Sequence, residues 1–227
     1  MKQQHKVYNL IILDESGSME SIKNATIRGF NEVAQTIRDV ESKFPEQKHF
    51  ISLVTFNGCG IKDALWNREV DGLELLNDTT YRPDCSTPLY DAIGRSCSKL
   101  KEEIPGKCTY NVLVTILTDG EENASRNYSG AAIKQMIDEL KQQSWTFAYI
   151  GANHNVEEAA ANLSISNMMV YDADEEGMEK MFAKDKKSRI LMANMCASWD
   201  WSKSANMSLI NIFQEEEEEE GEESKNS

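Results

Sequence analysis

Residues 7–18 read Val7-Tyr8-Asn9-Leu10-Ile11-Ile12-Leu13-Asp14-Glu15-Ser16-Gly17-Ser18. The apolar run over residues 7–13 ends where helical periodicity begins, the pattern of a buried parallel strand feeding a helix. Asp14, Ser16 and Ser18 therefore stand just past the carboxyl end of a strand, where open α/β sheets bind ligands. A carboxylate and two hydroxyls, with no His or Cys among them, are hard oxygen donors suited to Mg²⁺ or Mn²⁺. Such ions keep several waters and accept one or two carboxylates plus neutral oxygens. The same residue types also open helices and make turns, because their side chains satisfy orphan backbone N–H groups.

A second apolar run, residues 112–117, ends in Thr118-Asp119-Gly120 and again leaves a carboxylate at a strand terminus. Asp14 and Asp119 are then neighbours on one rim. Between them lies Ser86-Thr87-Pro88-Leu89-Tyr90-Asp91-Ala92-Ile93, where Thr87 followed by Pro88 suits a helix N-cap and first turn. A hydroxyl at that helix start, facing the rim, can also reach a metal.

Asp14-x-Ser16-x-Ser18, then Thr87, then Asp119 in an apolar-Thr-Asp-Gly context resemble the metal-ion-dependent adhesion site of von Willebrand factor type A domains. The likeness covers about residues 6–172. It implies a Rossmann-like α/β fold: a six-stranded, mostly parallel sheet with one antiparallel edge strand and helices on both faces. It also implies that Ser16, Ser18 and, in the ligand-engaged state, Thr87 coordinate Mg²⁺ or Mn²⁺ directly, while Asp14 and Asp119 act mostly through water. An open coordination position then takes an Asp or Glu from a partner protein. Compact intracellular bacterial members, the tellurium-resistance type among them, resemble this chain in size and in the stretch Thr87-Pro88-Leu89-Tyr90-Asp91-Ala92. One departure is the loop Asp84-Cys85-Ser86, which lacks the glycine many members carry there.

Composition bounds the rest. With 227 residues, 40% hydrophobic and 27% charged, the chain suits one sizeable α/β domain over residues 1–213, comprising the core and a C-terminal helical extension at about 174–213. No apolar stretch approaches the roughly 18 residues that span a membrane, and the first residues do not read as a signal peptide. The formal net charge of −14 disfavours nucleic acid and anionic membrane as partners. Eight of the acids are Glu215, Glu216, Glu217, Glu218, Glu219, Glu220, Glu222 and Glu223, so residues 214–227 read as a disordered acidic tail. Cys59, Cys85, Cys97, Cys108 and Cys196 are odd in number and form no C-x-x-C pair, which favours buried reduced thiols over a zinc site or a disulfide framework. A cytoplasmic setting is the resulting expectation. Nothing in the sequence bears on oligomeric state.

Periodicity supplies the layout. A helix runs through Ile22, Ile27, Phe30, Val33, Ile37 and Val40. A strand over residues 50–56 turns at Asn57-Gly58-Cys59-Gly60 into an antiparallel edge strand at 61–66. Helices follow at 88–104 and 129–142, a fifth strand at 145–150, a short helix from about Val156 and a last strand at 168–171. Met178, Met181, Phe182, Ile190, Leu191, Met192 and Met195 suggest two more helices whose methionines fill core gaps. Trp199 and Trp201 suit either a contact surface or packing against the sheet's helices.

The chain reads as a binding module rather than an enzyme. An alternative is a haloacid-dehalogenase-like, Mg²⁺-dependent phosphatase with Asp14 as nucleophile. That family resembles hhhhD-x-D-x-[TV], whereas Ser16 stands here for the second Asp and Ser18 for Thr or Val. Glu15-Ser16-Gly17-Ser18-Met19 is no nucleophile elbow. No motif places His5 or His49, and His154 is the one histidine expected near the rim. The loops 15–19, 84–87 and 121–126 would set partner choice, with Glu121 and Glu122 flanking the site in solvent.

Overall fold

The computed structural model describes residues 4–71, 73–105, 109–198 and 212–213. Cys108, Trp199, Trp201, the second helix expected before residue 213 and the acidic tail lie outside the described residues.

Strand β1 (His5–Asp14) leads through a 3-10 turn (Gly17–Ile22) into helix α1 (Lys23–Lys43). Then come β2 (Gln47–Asn57), β3 (Gly60–Glu69), α2 (Leu89–Glu103), β4 (Tyr110–Thr118) and α3 (Gly130–Lys141). The chain continues with β5 (Trp145–Gly151), α4 (Val156–Asn162), β6 (Asn167–Val170) and α5 (Glu175–Ser198). The sheet order is β3-β2-β1-β4-β5-β6, with every pair parallel except the β2–β3 hairpin. The fold is therefore the expected Rossmann-like one, with its antiparallel strand on the edge. Asp63 of that strand is held by Arg95 and Lys99 of α2, a charged lining that blunts the edge.

Even the unbroken apolar run of β1 serves two cores, because side chains alternate across a strand. Tyr8, Leu10 and Ile12 pack under α2, α3 and α4, together with Ile93, Cys97, Ile133 and Ile137. Ile11 and Leu13 pack on the other face with Phe30, Val33 and Ile37 of α1 and Met178, Met181 and Phe182 of α5. Each large side chain buried this way contributes about 1.5–3 kcal/mol relative to exposure. A Cβ on Gly29 would overlap the Phe182 ring, so glycine there lets α1 and α5 approach. The expected helices at 174–213 appear, within the described residues, as the one helix α5. Its buried face mixes methionines with Asp185 and Arg189. Arg189 donates to Asp185, to Asn9 Oδ1 at 3.2 Å and to Thr115 Oγ1 at 2.9 Å, spanning β1 and β4 from below.

Two cysteine expectations need correction. Cys59 and Cys85 are exposed rather than buried, and they form a disulfide with Cα atoms 6.2 Å apart. Cys97 and Cys196 are buried as expected, and burial raises the Cys196 pKa to about 12.

Candidate metal centre

Strand order reverses between β1 and β4. β1 connects through α1 to β2 on one side, while the chain re-enters beside β1 on the other as β4. Leu13 lies level with Leu117, so Asp14 and Thr118 end their strands side by side at this switch point, where the diverging connections leave a crevice.

Asp14 is fully buried. Its Oδ1 accepts from Ser16 N–H at 2.7 Å, closing an Asx turn, and its Oδ2 accepts from Thr118 Oγ1 at 2.6 Å. Its backbone carbonyl accepts from the buried Tyr81 hydroxyl at 2.6 Å. The turn sends Ser16 and Ser18 onto the rim, with Oγ atoms 3.3 Å apart, and Ser18 Oγ donates to Asp119 Oδ1 at 2.6 Å. Thr118 Oγ1 also receives Gly120 N–H at 3.2 Å, which shapes the turn that carries Asp119.

Burial pushes the Asp14 carboxyl up to about 6; hydrogen bonds from Thr118 and Ser16 oppose this, and the Asp119 charge adds to it. Burial likewise raises Asp119, against the Ser18 hydrogen bond. Two desolvated carboxylates beside two hydroxyls make an all-oxygen donor set short of positive charge. That set fits a hard divalent cation.

Thr87 reaches the same place from the third segment. It is buried, and an added Cβ on Gly120 would lie 3.7 Å from Thr87 Oγ1, so the hydroxyl faces the Asp119 turn. No hydrogen bond joins it to the other four residues in the described structure. Its backbone is pinned by Asn123: Thr87 N–H donates to Asn123 Oδ1 at 2.8 Å, and Asn123 N–H donates to Thr87 O at 3.1 Å.

Thr87 is not the N-cap of α2. The helix begins at Leu89 after Pro88, with no side-chain bond from its own cap. Glu122 and Ser125 take that role from across the crevice, accepting from Tyr90 N–H at 2.8 Å and Asp91 N–H at 3.0 Å. Glu122 also accepts from Ala124 and Ser125, so it orders the 121–126 loop instead of flanking the site in solvent. Asp91 returns the favour, accepting from the backbone of Arg126, Asn127 and Tyr128. Glu15, expected on the rim, is buried and accepts from Arg82 N–H at 2.6 Å and from Lys62. His154 is engaged at both ring nitrogens, by Tyr149 and by the Ala152 carbonyl.

Three residues that support the site were not among the expected metal ligands. Thr118 was visible as a polar side chain at a strand end, and its place beside Asp119 could have marked it. Tyr81 and Asn123 sit in unpatterned loops and carry no such signal.

The loop 84–86 has its own arrangement. Cys85 holds φ at +66°, the left-handed region where glycine is at ease and other residues lose about 1 kcal/mol or more. The missing glycine is thus replaced by a cysteine in the conformation a glycine would favour. Among the described residues, the cluster of three acid or thiol donors is Cys59, Asp84 and Cys85, whose two sulfurs are bonded to each other.

Comparison with solved structures places the fold. The chain superposes on the PilB minor pilin from Streptococcus sanguinis with TM-score 0.57 at 14% identity, covering 85% of this chain and 63% of that one. For a von Willebrand factor type A protein from Catenulispora acidiphila the values are 0.54, 15%, 82% and 43%. For the pilus adhesin SpaC from Lactobacillus rhamnosus GG, in its open conformation, they are 0.58, 14%, 84% and 30%. The chain thus spans under two thirds of each of these proteins, and at such identities the likeness establishes the fold. No curated protein matches. Nothing among these comparisons supports a haloacid-dehalogenase phosphatase. The family model for the von Willebrand factor type A domain, typically a protein-interaction module, matches residues 10–185, and the chain belongs to that family.

Proposed function

We propose that the chain is a non-enzymatic, divalent-metal-dependent protein-binding module. Asp14, Ser16, Ser18, Thr87 and Asp119 would hold Mg²⁺ or Mn²⁺, and the captured group is an Asp or Glu carboxylate of a partner protein. The observation that carries this reading is the bridged pair of buried carboxylates at the switch point, with Ser18 between the two strand ends. A bound cation would supply Lewis acidity toward the partner carboxylate. The chain's own residues do the rest. Thr118 and Ser16 N–H orient Asp14, Ser18 orients Asp119, and Asn123 presents Thr87.

Both oxygens of Asp14 accept hydrogen bonds, and Ser16 occupies the place of a second acid, which favours a ligand role over a nucleophile. The name of the SpaC pilus adhesin is in keeping with partner capture by this fold. The Thr87-Pro88-Leu89-Tyr90-Asp91-Ala92 stretch supports kinship with compact bacterial members of the tellurium-resistance type. A cytoplasmic setting belongs to the same proposal, with the Cys59–Cys85 bond then a reversible one, since lasting disulfides are rare in reducing compartments.

Thermal unfolding with millimolar Mg²⁺ against chelator tests the reading. Wild type is expected to gain stability by mass action and Asp14→Ala to gain none. Equal responses refute it, and so does para-nitrophenyl phosphate turnover that Asp14→Asn abolishes.

A further inference from the structure

We infer that the Cys59–Cys85 disulfide is a clamp on the metal centre: it pins the loop that leads to Thr87, whose Cys85 carbonyl holds Gly17 between Ser16 and Ser18, to the β2–β3 turn, and thiol–disulfide exchange loosens it. The inference rests on the metal-binding reading above.

Cys85 lies where the candidate ligand segments meet. Its carbonyl accepts from Gly17 N–H at 3.1 Å, between Ser16 and Ser18, and two residues later the chain reaches Thr87. The neighbouring Asp84 N–H donates to Glu15 O at 2.9 Å. Across the disulfide stands the β2–β3 turn, itself anchored: Gly58 N–H donates to Ser86 O at 2.7 Å, and Cys59 N–H donates to Asn57 Oδ1 at 3.0 Å. A Cβ on Gly58 would overlap Ser86 Oγ and come within 2.9 Å of Ser86 N, so the hairpin tip is seated directly on the loop.

A second, independent observation is the left-handed backbone of Cys85 itself. A non-glycine residue keeps such a conformation where its surroundings over-determine it, and such residues gather at binding sites and switches. Here the side-chain bond of that same residue acts beside two backbone restraints, the Cys85 N–H donating to Asp84 Oδ1 at 2.7 Å and the Cys85 carbonyl accepting from Gly17 N–H. Release of the sulfur frees Cys85 to relax toward ordinary φ, which moves the carbonyl that holds Gly17. Ordering the loops before binding lowers the entropy cost of capture, so the clamped form binds more tightly.

Both cysteines are exposed, which admits a thiolate to either sulfur, whereas Cys97 and Cys196 are buried. With a dithiol as reductant, one thiolate attacks one sulfur and the other cysteine leaves as thiolate. The reductant's second thiolate then displaces the mixed disulfide. The reductant ends as its disulfide, having delivered two electrons, and Cys59 and Cys85 end as thiols carrying its two protons.

The test uses the full chain in oxidised and dithiol-reduced form. Alkylation mass spectrometry should find Cys59 and Cys85 protected before reduction and labelled after it; free labelling of both beforehand overturns the proposal. Amide hydrogen exchange in chelator should speed up on reduction at Gly17, Gly58 and Asp84, with the central strands unchanged. Unchanged exchange at all three overturns the clamp. Mn²⁺ alone, followed by the paramagnetic resonance of the free ion, should bind about five-fold more weakly after reduction. Cys59→Ser should show the weaker value under both conditions. Equal Mn²⁺ affinity in the two redox states, abolished by Asp14→Ala, overturns the clamp and leaves the metal reading standing. No Mn²⁺ bound by either form overturns the metal reading, and the exchange result then decides the clamp by itself.

Discussion

Ser18 Oγ donates to Asp119 Oδ1 at 2.6 Å, tying the turn after β1 to the turn after β4 across 101 chain positions. A hydrogen bond to an ionised acid contributes about 1.5–3 kcal/mol, more than a neutral one. Ser18→Ala is therefore expected to cost the metal-free fold about 1–2 kcal/mol in urea denaturation and to weaken Mg²⁺ at least about ten-fold by calorimetry, the effect of losing about 1.4 kcal/mol of binding. An unchanged Mg²⁺ affinity would remove Ser18 from the site.

Asp14 makes the metal-free protein less stable than it could be. Its ordinary carboxyl pKa of 3.8 is pushed up to about 6 in the folded state. Below 3.8 both states hold the proton and no penalty exists. Between 3.8 and 6 the unfolded chain releases its proton first, so stability falls with rising pH and the penalty is complete above about 6. Asp14→Asn in chelator should thus be more stable than wild type at pH 7.5, by on the order of 3 kcal/mol, and equal to it near pH 3.5. Saturating Mg²⁺ should close or reverse the gap. Chemical denaturation across pH 3.5–8 reads this directly.

His49 works in the opposite direction at the far end of the sheet. Burial, with the charges of His5, Arg189 and Lys48, lowers its pKa from 6.5 to about 4. The folded state therefore holds it neutral. Its contribution is present above 6.5 and lost as pH falls toward about 4, because the unfolded chain takes the proton first. His49→Gln should flatten the acid-side loss of stability between pH 6.5 and 4 without altering metal affinity. The same slope in both proteins would show that His49 does not titrate as described.

Arg189 and Asp185 form a buried ion pair under β1 and β4. Arg189→Met leaves Asp185 as an uncompensated buried charge and should cost about 3–5 kcal/mol, whereas Arg189→Met with Asp185→Leu should restore most of that. A double mutant as unstable as the single one would mean that the contacts to Asn9 and Thr115, not the charge pair, dock α5.

The α/β layout was legible because the central parallel strands are nearly unbroken apolar runs and α1, α2 and α3 carry clean apolar stripes. Residues 7–13 and 112–117 could scarcely be read otherwise, and the carboxylates at their ends follow from chain order alone. The docking of α5 was not legible, since its buried face carries Asp185, Ser188 and Arg189 among methionines, and their partners Asn9 and Thr115 lie inside strands read as apolar. Thr87 was read as a cap of α2 whose hydroxyl faces the rim; the hydroxyl lies toward the Asp119 turn, but the residue caps nothing. The donors Tyr90 N–H and Asp91 N–H are satisfied by Glu122 and Ser125, more than thirty residues away, and a long-range cap leaves no local spacing to read. The Cys59–Cys85 bond was missed for the same reason: its partners meet only because the hairpin tip sits on the 84–86 loop.

The central claim is that the switch point between β1 and β4 holds a divalent cation. Anomalous diffraction at the manganese edge from Mn²⁺-soaked crystals tests it most directly. The account predicts a peak about 2.1 Å from Ser16 Oγ and Ser18 Oγ, beside Asp119 and lost in Asp14→Ala. At saturating Mn²⁺, an empty crevice, or a peak at Asp84 alone, would contradict it.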